Sequence, residues 1–491
     1  MLSNEYAPPE RVATFRQARY LAGYLDRKGA KSIVVENEYI DRDYLEDFEA
    51  YYVRCFERYS SRCRRLHFFS FDLSAADFER RITHLDEASD GVLNSNYLGF
   101  VVARPLPEPI VGRTLLKTFD PEGYQRRYRA IREYSVSLFG IDLRLDSLPF
   151  QQQDSVVAAC ATVALWTAFH KAADVFETVA PGPARITNAA NAIRPAKRIM
   201  PSRELRIDQM CEAVRATGLE PQVERVGSST PLASIIYGYL EFGLPVALCG
   251  YIDGQRGQGH AITVTGYATY STPDVYSDTT EPVIRGVRSE ASRMERLFVH
   301  DDNVGPFARM RFEDPGNFPP GLVADTPFVL RGYDLKNIPE HWFVPVLALV
   351  PVYGKIRIAY TEIHAWLGLL MDFASLSGVD LSDAIWNVAL TKTGILKHDA
   401  RLKMSDVAGL LGILTAPQPR FIWQATMSRA GRRIVDLLFD ATAVSRSNPL
   451  FGVIWHDPGL KEELKAKSVE RFGAESQKAQ NGGAFFETLF K

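Results

Sequence analysis

No apolar run in this chain is long enough to span a bilayer. The longest, WFVPVLALVPVYG, falls short of the roughly 20 residues a membrane helix needs and carries two prolines. The opening segment, MLSNEYAPPERVATF, offers neither a basic leader nor an apolar h-region, so no secretory signal is visible. Cysteine is sparse. Five in 491 residues (Cys55, Cys63, Cys160, Cys211, Cys249), an odd number, argue for reduced thiols rather than a disulfide framework. Cys55 and Cys63 have no His or Cys neighbours at zinc spacing, and no metal or cofactor is expected. Neither sign of charge dominates: 57 Lys and Arg against 59 Asp and Glu leave a net charge of -2, which excludes bulk attraction to nucleic acid or an anionic membrane. The Arg-rich stretch YQRRYRAIR (124–132) is balanced by acidic runs such as YIDRDYLEDFE. Neither a solenoid-like repeat nor a low-complexity tract is visible. What remains is a soluble, cytoplasmic protein whose hydrophobic content of 46% suffices for more than one core.

Three stretches differ in pattern. In 1–145, helical segments (RVATFRQARYLAGYLD, DRDYLEDFEAYYVRCFERYSS, AADFERRITHLDEAS) alternate with strands (KSIVVENEY, RLHFFSF, YLGFVVARPL), which predicts a small layered domain, α/β or α+β. In 146–350, an Ala-rich helix from Cys160 precedes the helix RIDQMCEAVRATG, with Gly218 as its C-cap, the helix ASIIYGYLEFG and the strand PVALCGYI. Residues 268–293 are polar and turn-rich, an insertion of the kind that borders a cleft. In 351–491, FIWQATM, RRIVDLLFDAT and LFGVIWHD read as strands of a mixed α/β domain, and the tail ESQKAQNGGAFF reads as loose except where its Phe residues dock.

Two residues carry the chemistry. Cys160 stands near the head of the apolar helix in LPFQQQDSVVAACATVALWTAF, and His260 follows a Gly-rich turn and opens the alternating strand GHAITVTGY. A thiol is a useful nucleophile only as thiolate, and a helix N-terminus with a nearby imidazolium lowers its pKa. His170 is excluded as that partner, because ten residues along one helix separate it from Cys160 by about 15 Å. His300, beside Asp301 and Asp302, could suggest a metal, but adjacent strand residues point to alternate faces and chelate poorly.

The ordered set resembles papain-like cysteine peptidases, especially the bacteriocin-processing peptidases and their bacterial relatives. Gln153, Cys160, GHAITVTGY with His260, and RLFVHDDNVGPF with Asp301 fill the family's places across roughly 146–350. The resemblance implies an α+β fold with a papain-like core, flanked by the N-terminal and C-terminal domains. It implies that the Cys160 thiolate attacks an amide or isopeptide carbonyl and that His260 is base and then acid. Asp301, with Asp302 as the alternative, orients the imidazole, and Gln153 helps hold the oxyanion. The family places its Gln six residues before the cysteine; here that position is Asp154 and Gln153 lies seven before, so either a one-residue bulge brings Gln153 into place or the hole relies mainly on the Cys160 backbone amide. The large flanks point to a specific protein or peptide substrate. Two rivals remain on the same scaffold: a transglutaminase-like or deamidating enzyme, and a non-catalytic binding module.

Overall fold

The computed structural model describes residues 2–490 apart from 85–86, 121–124, 155, 193–199, 201–204, 254–258, 273–274, 318–327, 404–406, 445–447 and 473–482. The Gly-rich turn before His260 and most of the polar C-terminal tail therefore lie outside the described residues. Helix and strand are nearly equal, at 35% and 34%, which makes the chain a mixed α+β protein. Among the described residues no helix is long and apolar enough to cross a membrane.

The chain divides into two compact units. The first comprises 1–225, 243–271 and 295–351, and the second 226–242, 272–294 and 352–491. The three sequence stretches are thus regrouped: 1–145 shares a unit with Cys160 and His260, while two pieces of 146–350 belong to the other.

In the first unit the strands Ser32–Tyr39, Cys63–Phe69, Tyr97–Ala103 and Val111–Leu116 form a four-stranded sheet in that order, antiparallel throughout. Alternation of helix and strand in 1–145 suggested either an α/β or an α+β layer. The antiparallel pairing makes it α+β and corrects the α/β expectation, because no strand here is joined to its neighbour by a parallel crossover. The hairpin Arg132–Leu138 and Ile141–Ser147 packs Ile141, Leu143 and Leu145 inward while Asp142, Arg144 and Asp146 face water, the period-2 signature of a half-buried strand.

The second layer of this unit is a closed six-stranded barrel. Met294–Asp301, Gly305–Glu313, Val329–Tyr333, Pro339–Tyr353, Val246–Ile252 and Gly259–Thr269 pair in that order, and the last returns to pair with the first. Closure removes the unpaired edges that an open sheet would leave. The helix Cys160–Phe176 packs on the Gly259–Thr269 strand, where the Thr263 hydroxyl donates to the Ala164 carbonyl at 3.0 Å. Its Ala-rich sequence is buried almost all round, as expected of a core helix, and Leu165, Trp166 and Phe169 are essentially inaccessible to solvent. Burying each of those three side chains stabilises the packing by about 1.5–3 kcal/mol.

In the second unit Arg288–Ser289, Ile385–Lys392, Phe421–Arg429, Arg432–Asp440 and Leu450–Trp455 form a five-stranded sheet, including the three strands expected after residue 420. The helices Leu232–Glu241 and Tyr360–Leu376 belong here. Gly238 is required by close approach: a Cβ there would stand 3.0 Å from the Tyr360 ring and 3.2 Å from the Val388 carbonyl. At the C-terminus Phe485 stacks on Trp366 and Phe486 on Phe373, with ring centroids 5.1 and 4.1 Å apart, so the tail's phenylalanines do dock. Within the 268–293 insertion Val287 and Ala291 are buried, and Glu281 accepts the Ser234 backbone N–H at 2.7 Å and the Ser234 hydroxyl at the head of the Leu232–Glu241 helix.

Candidate active site

Cys160 is the first residue of its helix and is half-buried. The preceding Ala159 is extended and supplies no capping side chain, and no acidic residue sits in the first turn. The helix's first amides are therefore left to whatever negative charge develops at the sulfur. The Cys160 thiol lies within hydrogen-bonding reach of the His260 ring.

His260 is paired to the barrel residue Gly250 and sits in a nearly dry position, 5% exposed, with Phe343 packed edge-on at 6.3 Å between centroids. Its Nε2 lies 2.9 Å from Asp301 Oδ1. Burial alone would favour the neutral ring. The Asp301 carboxylate, the Cys160 thiol and Asp302 outweigh it and push the imidazole well above its ordinary pKa. Asp301 is fully buried, which by itself would raise its carboxyl. His260 and His341 overcome that and hold it well below the usual carboxylate range. The Asn303 backbone N–H also donates to Asp301 Oδ1 at 3.0 Å.

Asp302 lies farther from the ring, with Oδ1 3.7 Å from His260 Nε2. Burial, with the Asp301 charge beside it, pushes it up to about 7 against the pull of His260 and of the nearby Gln153 backbone N–H. Of the adjacent aspartates, Asp301 is the one hydrogen-bonded to the imidazole, and Asp302 stands farther off with the Gln153 backbone near it. Strict strand alternation would have sent them to opposite faces. The strand ends at Asp301, however, with its pairing irregular after Val299 and Val304 N–H closing back onto the Asp301 carbonyl at 2.8 Å, so both side chains turn the same way. His300 does point away, between Phe150 and Phe307, with Nδ1 3.2 Å from the Pro149 carbonyl; burial drives its pKa down to about 3. His260, Asp301 and Asp302 bring their donor atoms within 4.8 Å of one another, close enough for a cation, but the ring and the Asp301 carboxylate already satisfy each other as an ion pair.

The glutamines separate clearly. Gln151 Oε1 accepts from Arg104, and Gln152 bonds with both its backbone N–H and its side-chain oxygen to Val111. Asp154, the residue six before Cys160, accepts from the Tyr52 hydroxyl and from the Val156 N–H, and bridges to Ala158 through both backbone groups. It is consumed in that turn. Gln153, half-buried, is the member of the run brought to Asp302.

The remaining cysteines are raised, in each case first by burial: Cys249 to about 12, with Cys160 and Cys211 adding to it, and Cys55, Cys63 and Cys211 also upward. His170 is likewise remote from the site's chemistry: it is edge-on to Trp166, and burial lowers it to about 3.

His341 carried no sequence signal and belongs to the site. Its Nε2 lies 3.3 Å from Asp301 Oδ2, and its Nδ1 lies 3.2 Å from the Arg16 guanidinium. A guanidinium only donates, so Nδ1 accepts and Nε2 carries the proton that points at Asp301. Gly332 makes room for this ring: a Cβ there would stand 2.7 Å from His341 Cε1. Compared with protein-family models and with curated protein sequences, the chain matches none.

Proposed function

We propose that the protein is a cysteine-dependent acyl-transfer enzyme, a peptidase or isopeptidase with a papain-like core acting on a specific protein or peptide. The observation that carries this reading is the contiguous Cys160–His260–Asp301 set, with the sulfur at an uncapped helix start and the imidazole held charged by a buried carboxylate. A core helix packed on a closed barrel supports the papain-like assignment.

In the proposed reaction the Cys160 thiolate adds to the carbonyl carbon. The oxyanion takes hydrogen bonds from the Cys160 backbone N–H and the Gln153 side-chain amide, a type of contact whose loss costs on the order of 10²–10³ in rate. Because His260 Nε2 is committed to Asp301, its other nitrogen faces the sulfur and gives its proton to the leaving amine. The C–N bond breaks, the amine departs, and a thioester remains. The neutral imidazole then takes a proton from the incoming water or amine, and Cys160 is released.

An electrophilic probe of the vinyl-sulfone class tests this. It should attach to Cys160 in the native protein and not after His260→Ala, and the mass of the product formed from a cognate amide should separate hydrolysis from amine transfer. Absence of Cys160 adduct in the folded native protein would leave only a non-catalytic binding module.

A further inference from the structure

The residues that hold the far side of Asp301 come from an N-terminal helix, Arg16–Arg27, that the chemistry above does not use. Arg16 reaches His341 Nδ1 at 3.2 Å and is ion-paired to Glu340. The Gln17 side-chain amide donates to the Asp302 backbone carbonyl at 2.8 Å. One turn on, the Tyr20 hydroxyl donates to the Pro306 carbonyl at 3.0 Å. Positions 16, 17 and 20 share one helical face, and all three lead to the turn that carries Asp301 and Asp302, directly or through His341. Gly305 in that turn is fitted to the helix: a Cβ there would lie 2.2 Å from the Tyr20 ring.

We propose that this helix is a working part of the active site, with Arg16 and His341 as positioning residues that fix the Asp301 carboxylate in line with His260 Nε2. The proposal rests on the reading of Cys160 and His260 given above. A carboxylate has two oxygens and one torsion to fix. With Oδ1 shared between His260 and the Asn303 N–H, the position of Oδ2 decides whether Oδ1 stays in line with the ring. His341 Nε2 stands 3.3 Å from Oδ2, a close contact rather than an aligned hydrogen bond, and Arg16 selects the tautomer that places the proton on that nitrogen. Without Arg16, the proton can move to Nδ1, and a lone pair then faces the carboxylate. The titratable and charged groups facing the His260–Asp301 pair are Cys160, Asp302, His341 and Tyr20, with Arg16 and Glu340 beyond His341. Of these, His341 is the one that stands beside Asp301 Oδ2, at 3.3 Å.

The test uses the full-length protein and needs no substrate. The rate of Cys160 alkylation by iodoacetamide is followed by peptide mass mapping from pH 5 to pH 10 in wild type, His341→Leu, His341→Gln, Arg16→Met and His260→Ala. His341→Leu and Arg16→Met should slow alkylation at pH 6–7 by about tenfold, the scale of one lost close contact with a buried charge. They should rejoin wild type above pH 9, where the thiolate forms without help. His341→Gln, whose amide N–H still reaches toward Asp301, should stay close to wild type. If His341→Leu follows the wild-type profile throughout, or if His341→Leu and His341→Gln are equally slowed at every pH including pH 10, the positioning role is wrong. His260→Ala separates the two levels. Loss of the rate at pH 6–7 in His260→Ala but not in His341→Leu refutes this proposal alone, whereas an unchanged profile in His260→Ala refutes the underlying pair as well.

Discussion

Replacing Asp301 by asparagine removes one charge from a fully buried carboxylate while keeping its shape, so the result measures the charge rather than the packing. Its Oδ1 is 2.9 Å from His260 Nε2, which puts the charge centres about 4 Å apart; at an effective dielectric near 20 their attraction is about 4 kcal/mol. Asp302, with Oδ1 3.7 Å from the same nitrogen, recovers part of that attraction as it ionises. If half is recovered, the net loss is about 2 kcal/mol, and the His260 pKa falls back toward its ordinary value. The sign is fixed by the direction of the present shift. His260 is raised, so the charged ring is the form that the fold favours, and the variant loses that form first in the neutral range. Alkylation of Cys160 at pH 6–7 should fall by about 10- to 100-fold and converge with wild type above pH 9. The assay is iodoacetamide labelling with peptide mapping, with a thermal melt to show that the variant is folded. Asp302→Asn is the paired control and should cost much less. An Asp301→Asn protein that keeps the wild-type rate at pH 6–7, or an Asp302→Asn protein that loses more, would transfer the role to Asp302 and refute this electrostatic argument.

Glu281 gives an independent pH prediction in the second unit. Burial raises its carboxyl to about 7, against the Ser234 hydrogen bonds that lower it, so the folded state binds this proton more tightly than the unfolded chain does. Its contribution to stability is therefore present below the unfolded carboxyl pKa of about 4.3 and is lost as pH climbs to 7. Glu281→Gln, which keeps an acceptor for the Ser234 N–H, should flatten the pH 5 to pH 8 fall in stability measured by urea unfolding; an unchanged slope would count against it. Gly250, the barrel partner of His260, admits no side chain, because a Cβ would lie 2.0 Å from the Val344 carbonyl. Gly250→Ala should cost more than about 3 kcal/mol or prevent soluble expression, as overpacking against rigid backbone does, and a melt equal to wild type would refute the close approach.

The parts of this site that were legible in the sequence are those announced by local pattern. Cys160 begins an Ala-rich helix and His260 opens an alternating strand, and periodicity reports both. Asp301 was preferred over Asp302 from a turn-like run, and the geometry pairs it with His260 because the strand ends there. The sequence favours Gln153 over Asp154 for the oxyanion, but that Tyr52 occupies Asp154 from about a hundred residues away is something no local pattern reveals. His341 and Arg16 were invisible for the same reason: they meet Asp301 from positions 341 and 16, and no spacing rule connects them. The direction of strand pairing in 1–145 was equally hidden, because helix–strand alternation leaves it open. The 268–293 stretch reads as a polar, turn-rich insertion because Glu281, Val287 and Ala291 are scattered among turn residues, and only their burial reveals that they pack.

The central claim is that Cys160 and His260 act together as nucleophile and base. The measurement that bears on it most directly is the pH dependence of Cys160 alkylation in wild type against His260→Ala. The account predicts that Cys160 is the first of the five cysteines to be labelled, with appreciable reactivity at pH 6–7 that His260→Ala abolishes, and with the two profiles meeting above pH 9. Identical profiles, or prior labelling of Cys55 or Cys63, would contradict it.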